Sequence, residues 1–321
     1  MKNLGISPVF LSGIPLKKKH EEYQYIELLR KILQEGTDEI GRNGKTRSVF
    51  GHMMRFSLKD GIIPILTTKK VAWKTCLKEL LWFIRGETDN KILQSQGVHI
   101  WDANASKEFM ESRGLSHYED GLLGPLYGWQ WRRFNAPYDP KTGKVADYDD
   151  EFMNMVDQRD KGVDQLQQII DALKDPKERT SRRLVMSAWN PCQLDQMALP
   201  PCHILCQFNV HDGNKLSCAL YQRSCDFFLG SSFNIASYSF LTHLLAKHCG
   251  LEAHEFVYFM GNVHLYENAI EAAELQITRE PFPFPMVSIK QVRENINDYQ
   301  VEDFEINNYQ SHDPIKVAMI A

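Results

Sequence analysis

A cysteine set behind two prolines is the feature of this sequence readiest to do chemistry: Ala198-Leu199-Pro200-Pro201-Cys202-His203. The prolines stiffen the backbone just ahead of an apolar alternating stretch. Cys202 therefore falls at a rigid strand entrance, where a nucleophile can be held still. A thiol becomes a strong nucleophile where nearby positive charge lowers its pKa. The plainer alternative is a small buried hydrophobe, and local sequence alone favours it. His203 does not complete a dyad, because neighbours on a strand point to opposite faces. Cys202 and Cys206 lack a second spaced pair, which argues against zinc.

Arginine is the second signal. Glu178-Arg179-Thr180-Ser181-Arg182-Arg183 sets several guanidinium groups before an apolar run, Tyr221-Gln222-Arg223-Ser224-Cys225-Asp226 ends another with a guanidinium and a hydroxyl, and Arg42 lies in an early polar segment. Arginine forks match phosphate oxygens, and a serine hydroxyl can complete such a cradle; any one of them alone reads as solvated surface charge. A third group is mixed. Asn234 stands directly before an apolar helix and reads as an N-cap, or as an amide that recognises a base edge. Asp226 is a turn carboxylate or a ligand acceptor. His264 and Tyr266 share a face if the chain is extended there. Glu79 sits beside Leu80-Leu81-Trp82-Phe83. Facing solvent it is unremarkable; facing inward, its pKa would rise and suit proton transfer.

These residues need elements to position them. Helical spacing predicts helices over His20–Glu35, Trp73–Arg85, Gly162–Leu173, Ile235–His248 and Leu265–Thr278. Strands are expected over Val49–Leu58, with Phe50, Met54, Phe56 and Leu58 on one face, over Leu184–Trp189, from Ile204 to Val210, over Leu216–Gln222 and over Phe256–Phe259. Asp212-Gly213-Asn214 is a hairpin turn, and Gly36–Arg47 reads as a polar loop. The stretch from Phe134 to Gly162, crowded with Pro, Gly, Asp and Lys, reads as a surface insertion. Helices and strands do not alternate regularly, so the class is α+β.

Composition bounds the rest. The 321 residues are 43% hydrophobic and carry a net charge of −4, an ordinary globular balance that gives no default reason to bind nucleic acid. No apolar run approaches the roughly 18 residues of a membrane span. The apolar stretch from Leu4 to Leu16 is broken by prolines and followed, not preceded, by lysines. It lacks the pattern of a secretory signal. Seven cysteines without a CxxC pair fit reduced thiols, hence a cytoplasmic or nuclear protein. No dinucleotide or P-loop glycine motif occurs. We expect an N-terminal arm over residues 1–19 and one domain over 20–321.

Taken together, the segments resemble the thymidylate synthase family. The likeness runs through Arg42, Phe50-Gly51-His52, Leu66-Thr67-Thr68-Lys69, Glu79-Leu80-Leu81-Trp82-Phe83, Ile100-Trp101-Asp102 and Gly124-Pro125-Leu126-Tyr127-Gly128. It continues through Gln130-Trp131, Arg182-Arg183, Ser187-Ala188-Trp189-Asn190, Met197–His203 and Tyr221–Asp226. It closes with Phe233–Tyr238, His264-Leu265-Tyr266 and Arg279-Glu280-Pro281. Each segment is weak alone; their order over nearly the whole chain is specific.

The resemblance implies a single-domain α+β fold, with a mixed, twisted sheet at a homodimer interface and helices around it. It implies reductive methylation of dUMP by 5,10-methylenetetrahydrofolate to dTMP and dihydrofolate, with no metal, NAD or flavin. Cys202 would add to C6 of the uracil. Glu79, Tyr127 and His203 would manage protons and water, with Asn234 and Asp226 also serving catalysis. Arg42, Gln222, Arg223, Ser224, Asp226, Asn234, His264 and Tyr266 would bind dUMP, with Arg182 and Arg183 donated by the partner subunit. Ile100, Trp101, Asp226, Leu229, Gly230 and Phe233 would meet the folate, and Ala321 would close the site. No membrane or nucleic acid is required, and the chain looks monofunctional.

The sequence departs from the family pattern at Gly41, in place of an acidic residue, at Ser231-Ser232, in place of an apolar-Pro pair, at Asn262, where the family usually has aspartate, and in the long insertion. Gly41 bears on the position of Arg42, and the serine pair on the folate contact. A pyrimidine hydroxymethylase on the same scaffold is the nearest rival enzyme. Asn234, where a cytosine enzyme would carry aspartate, argues against dCMP. A non-catalytic nucleotide- or RNA-binding homologue is the rival of another class, and the retained Cys202 and arginines argue against it.

Overall fold

The computed structural model describes residues 19–41, 43–146 and 162–320. Six strands form a mixed sheet in the order β1-β2-β6-β5-β4-β3. They are β1 (Thr37–Gly41), β2 (Gly44–Ser57), β3 (Val185–Ser187), β4 (His203–His211), β5 (Lys215–Asp226) and β6 (Glu252–Tyr266). All neighbours are antiparallel except β5 and β6, which run parallel. The crossover between those two carries α5 (Gly230–His248), as a parallel pair requires. The other helices used here are α1 (Tyr23–Glu35), α2 (Trp73–Ile84), α3 (Tyr127–Arg133), α4 (Gln165–Lys174) and α6 (Ile270–Gln276). A small antiparallel pair, β7 (Met286–Ile289) with β8 (Phe304–Asn307), lies apart. No helix among the described residues is long and apolar enough to cross a membrane.

Alternation builds the core. Met54, Phe56, Phe256, Tyr258, Leu216, Leu220, Phe208 and Val210 are buried, and α5 lies against β5 and β6. Helix α5 is buried on nearly every side. Helix α2 packs on it with Leu77, Leu80, Leu81 and Ile84 buried. Gly128 lets α3 approach α2 closely, since a Cβ there would stand 2.5 Å from the Phe83 carbonyl oxygen. On the opposite face of the sheet, Met53, Phe259, Tyr221 and Leu205 pair across four adjacent strands and remain partly exposed.

A backbone kink crosses the sheet. The β2–β6 ladder skips Gly51 opposite Gly261, and the β5–β6 ladder skips Arg223 opposite Gly261. The β4–β5 register shifts between His203 and Leu205. Gly51 has φ +78°, a conformation that favours glycine. Beyond the kink, the cross-strand sets are Ser224 with Asn262, and Asp226 with His264 and Ser48.

Several sequence expectations are corrected. The polar loop over Gly36–Arg47 is a β-hairpin, β1 into an early start of β2. All five residues of β1 are exposed, so no burial alternation marks it; main-chain pairing and an Arg47–Asp38 ion pair at 2.7 Å hold it. Phe50 does not share the buried face of Met54, Phe56 and Leu58; beside the kink at Gly51 it is 84% exposed. Strand β6 runs fifteen residues, not Phe256–Phe259 alone, and includes Leu265 and Tyr266. The expected helix over Leu265–Thr278 shrinks to a 3₁₀ turn at Glu267–Ala269 and α6. Helix α5 begins at Gly230, not Ile235, because serine hydroxyls take up local carbonyls: Ser231 Oγ donates to Phe227 O and Ser232 Oγ to Leu229 O. The excursion after α3 closes where Phe134 and Val163 exchange backbone hydrogen bonds of 2.8 and 3.0 Å. Residues 1–18, which hold most of the expected N-terminal arm, and 147–161 of the insertion lie outside the described residues.

A Cβ on Gly261 would meet the Arg223 carbonyl oxygen at 2.9 Å and Tyr221 Oη at 3.1 Å. Gly261→Ala should therefore cost about 1–3 kcal/mol through forced backbone movement. Urea unfolding checks this, and an unchanged midpoint would mean that β5 and β6 are not held at this spacing.

Candidate active site

Cys202 is fixed from three directions. Its backbone N–H donates to Tyr127 Oη at 2.8 Å, and its carbonyl accepts from the Arg223 N–H at 2.9 Å. The Arg223 side chain then reaches back along the same loop: Nε donates to Pro201 O and Nη2 to Pro200 O, both at 2.8 Å. Arg223 thus secures the loop that carries Cys202 as well as charging its surroundings. Burial pushes the Cys202 thiol above its ordinary pKa, and the Arg223 guanidinium is the largest opposing influence. The expected lowering is therefore not reached within one chain.

Tyr127 lies at the start of α3 and stacks on His203, with ring centroids 4.0 Å apart. His203 Nδ1 is 2.8 Å from Tyr238 Oη. Burial pushes the His203 pKa down to about 3, so the ring is neutral around pH 7. Its contacts are with Tyr127 and Tyr238.

Glu79 on α2 faces inward, where its carboxylate accepts from Trp101 Nε1 at 2.7 Å. Burial raises its pKa to about 7, against the lowering effect of that bond. Such a group exchanges protons readily near neutral pH. Trp101 in turn meets Tyr127 edge-on, at 6.1 Å between centroids. The indole therefore bridges Glu79 to the tyrosine that holds Cys202. Ile100, beside it, is partly buried against the core.

The strip beyond the kink supplies polar groups. Asp226 ends β5, and its Oδ1 accepts from the N–H groups of Phe228 and Leu229, both at 3.1 Å. Burial raises its pKa against the effect of those bonds and of nearby His264 and Lys69. A Cβ on Gly230 would lie 3.8 Å from Asp226 Cβ and 3.9 Å from Asn234 Oδ1, so the glycine stands between them. Asn234 is inside α5, not its N-cap. Its side-chain amide makes no hydrogen bond to any described residue. His264 Nδ1 lies 2.8 Å from Asn262 Oδ1, and its ring meets Tyr266 edge-on at 5.3 Å. Gln222 is buried, with Nε2 on Ser224 O at 2.9 Å and Oε1 accepting from Tyr258 Oη at 2.6 Å. It supports Ser224 from beneath. Leu229 and Phe233 are partly buried at the start of α5. Ser231 and Ser232 are buried with their hydroxyls engaged.

Two expected contributors stand apart within one chain. Arg182 and Arg183 are exposed, and the Arg182 carbonyl is held by Gln207 Nε2 at 3.1 Å. Gln207 is five residues past Cys202 on β4. That is roughly 16 Å at strand rise, beyond the span of an arginine side chain. Arg42 and Ala321 lie outside the described residues.

Lys69 is the group whose part the residue types did not disclose. It is buried, with Nζ hydrogen-bonded to Phe228 O and 3.8 Å from that residue's ring centre. Burial lowers its pKa to about 7, against the raising effect of Asp226 and Glu22. It pins the turn whose N–H groups hold Asp226. The preceding Thr67 and Thr68 are locked by the buried Glu22 carboxylate, which accepts from both backbones and both hydroxyls. No periodicity announces such a contact, because its partners are 45 residues apart.

The family model described as thymidylate synthase matches residues 23–321. The thymidylate synthase of Equine herpesvirus 2 (strain 86/87) is 49% identical over 302 residues, which is 94% of this chain and 98% of that protein. The bifunctional dihydrofolate reductase-thymidylate synthase of Plasmodium chabaudi is 47% identical over 305 residues, 95% of this chain and 49% of that protein. The bifunctional protein of Leishmania major is 47% identical over 304 residues, 94% of this chain and 56% of that protein. The chain thus spans about half the length of these bifunctional relatives.

Glu79 links the site to stability. Its folded pKa of about 7 lies above the ordinary 4.5, so the folded state binds the extra proton between these values. Its stabilising contribution is full below pH 4.5 and is lost as pH rises through about 7. Glu79→Gln removes this dependence. Urea unfolding from pH 5 to 8 should show the variant gaining on the parent as pH rises. A constant difference would overturn the raised pKa.

Proposed function

The chain belongs to the thymidylate synthase family, and from that premise we propose that it converts dUMP to dTMP by reductive methylation. The folate co-substrate, 5,10-methylenetetrahydrofolate, supplies both the one-carbon unit and the hydride, and leaves as dihydrofolate. The observation that carries the reading is the fixing of Cys202 by Tyr127 and Arg223 beside an inward Glu79. Cys202 as thiolate adds to C6 of the uracil, and C5 then bonds the one-carbon unit; the C5 proton is removed as the bond from that carbon to the folate nitrogen breaks, hydride from the released tetrahydrofolate completes the methyl group, and the thiolate leaves C6. Covalent addition divides one difficult substitution into easier steps.

The remaining side chains position and exchange protons. Asn234 offers the pyrimidine edge both a donor and an acceptor. Arg223 and Ser224 face the phosphate, with Arg42. His264 and Tyr266 take the sugar hydroxyl. Glu79, whose pKa lies near 7, handles protons through bound water, while Tyr127 stands near the C5 proton. Trp101, Ile100, Leu229, Gly230 and Phe233 bound the folate, Asp226 anchors its pterin, and Ala321 closes over it.

A homodimer completes this site. The apolar row of Met53, Phe259, Tyr221 and Leu205 is a sheet face suited to a second copy. Arg182 and Arg183, which precede β3 and lie beside Gln207, too far from their own Cys202, would serve the partner's thiol and phosphate. Two further guanidinium groups would oppose the upward push that burial exerts on Cys202.

Dihydrofolate formation from dUMP and methylenetetrahydrofolate tests the reaction. Cys202→Ser should lower kcat by more than roughly 10³-fold. Release of the C5 hydrogen without dihydrofolate would replace this reading with hydroxymethylation; neither signal would leave a binding role. The shared site has its own test. Inactive Cys202→Ser and weakened Arg182→Ala dimers, dissociated and mixed equally, should regain roughly a quarter of wild-type activity, because each mixed dimer holds one intact site. No recovery would place Arg182 outside the partner's site.

A further inference from the structure

The contact between Asn262 and His264 carries a role that the reaction scheme leaves unassigned. Both residues follow the kink on β6, two apart and on one face. His264 is nine-tenths buried, and the 2.8 Å contact joins its Nδ1 to the amide oxygen of Asn262. An amide oxygen only accepts, so the proton of a neutral imidazole lies on Nδ1 and the lone pair on Nε2.

The surroundings decide the charge. Ser48 faces His264 from β2 and Asp226 from β5, while Tyr266 follows on the same strand. Burial lowers the His264 pKa, and Asp226 is the charged group that opposes it. A neutral amide at position 262 adds no second carboxylate to that opposition. A carboxylate there would accept from Nδ1 equally well but would favour the imidazolium, whose Nε2 carries a proton.

We propose that Asn262 is a positioning residue that holds His264 as the neutral Nδ1–H tautomer, so that Nε2 meets the nucleotide sugar as a hydrogen-bond acceptor. This rests on dUMP being the substrate. A sugar hydroxyl then donates to Nε2, and Asn262 acts on substrate binding without touching the reacting carbons. Its substitution should move KM for dUMP much more than kcat.

The test begins without ligand. In the ¹⁵N-histidine-labelled full chain, the His264 resonances, assigned with His264→Gln, should show a protonated-type Nδ1 and an unprotonated-type Nε2 at pH 7.5. Asn262→Leu should lose this preference. Asn262→Asp should raise the His264 pKa. With dUMP, Asn262→Leu should raise KM roughly three- to tenfold with kcat nearly kept, and Asn262→Asp should do so only where the imidazolium persists. For Asn262→Asp the defect should be greatest at acid pH, where the imidazolium persists, and fade as pH rises past the elevated pKa. A proton on Nε2 in the parent, or a tautomer unmoved in Asn262→Leu, would overturn the proposal whatever the activity. An expected tautomer in a protein that makes no dihydrofolate would instead overturn the assigned reaction.

Discussion

At Gly261 the backbones of β5 and β6 approach so closely that a single methyl group would strike the Arg223 carbonyl oxygen. That contact is one point on the kink that crosses the sheet, and the functional groups hang from it. On one side the strands alternate into an apolar core beneath α5. On the other, the same strands turn Asp226, His264, Asn262 and Ser224 into a polar strip. The shift also reaches the start of β4, so Cys202 and Arg223 inherit their positions from it.

Burial acts on the site's ionisable groups in opposite directions. It raises Glu79 and lowers Lys69, and both arrive at about 7. It takes His203 far enough down to leave an uncharged ring between two tyrosines. Desolvation disfavours whichever form is charged, so one apolar surrounding brings an acid and a base to similar proton affinity. The same effect works against the Cys202 thiolate, which the Arg223 guanidinium opposes. One guanidinium is supplied by Arg223, itself spent in part on the loop carbonyls.

Much of this was legible in residue types. Pro200-Pro201 marked Cys202 as a residue held on a stiff backbone, and the apolar neighbours of Glu79 marked an acid whose side chain had two possible fates. His264 and Tyr266 were expected to share a face if extended, and β6 extends through both. The failures have physical causes. β1 escaped because an exposed strand shows no burial period, and its charges read as a loop. The start of α5 escaped because serines stand where apolar spacing would be sought. Glycines inside strand patterns at Gly51 and Gly261 were the available sign of the kink. Lys69 carried no local sign, since its turn lies more than 150 residues away.

The antiparallel pair formed by Phe134 and Val163 has a bearing on how this chain can vary. It closes the excursion immediately after α3, which carries Tyr127, and just before α4. The entropy of closing a loop grows only with the logarithm of its length, about 0.6 kcal/mol for each doubling. The described part of the excursion is not spare length, however: Ala136 and Tyr138 are buried with Trp129, and Gln193 Nε2 holds the Ala136 carbonyl at 2.8 Å. Length is therefore cheap to change only where such contacts are spared, whereas one methyl group at Gly261 would strike the neighbouring strand directly.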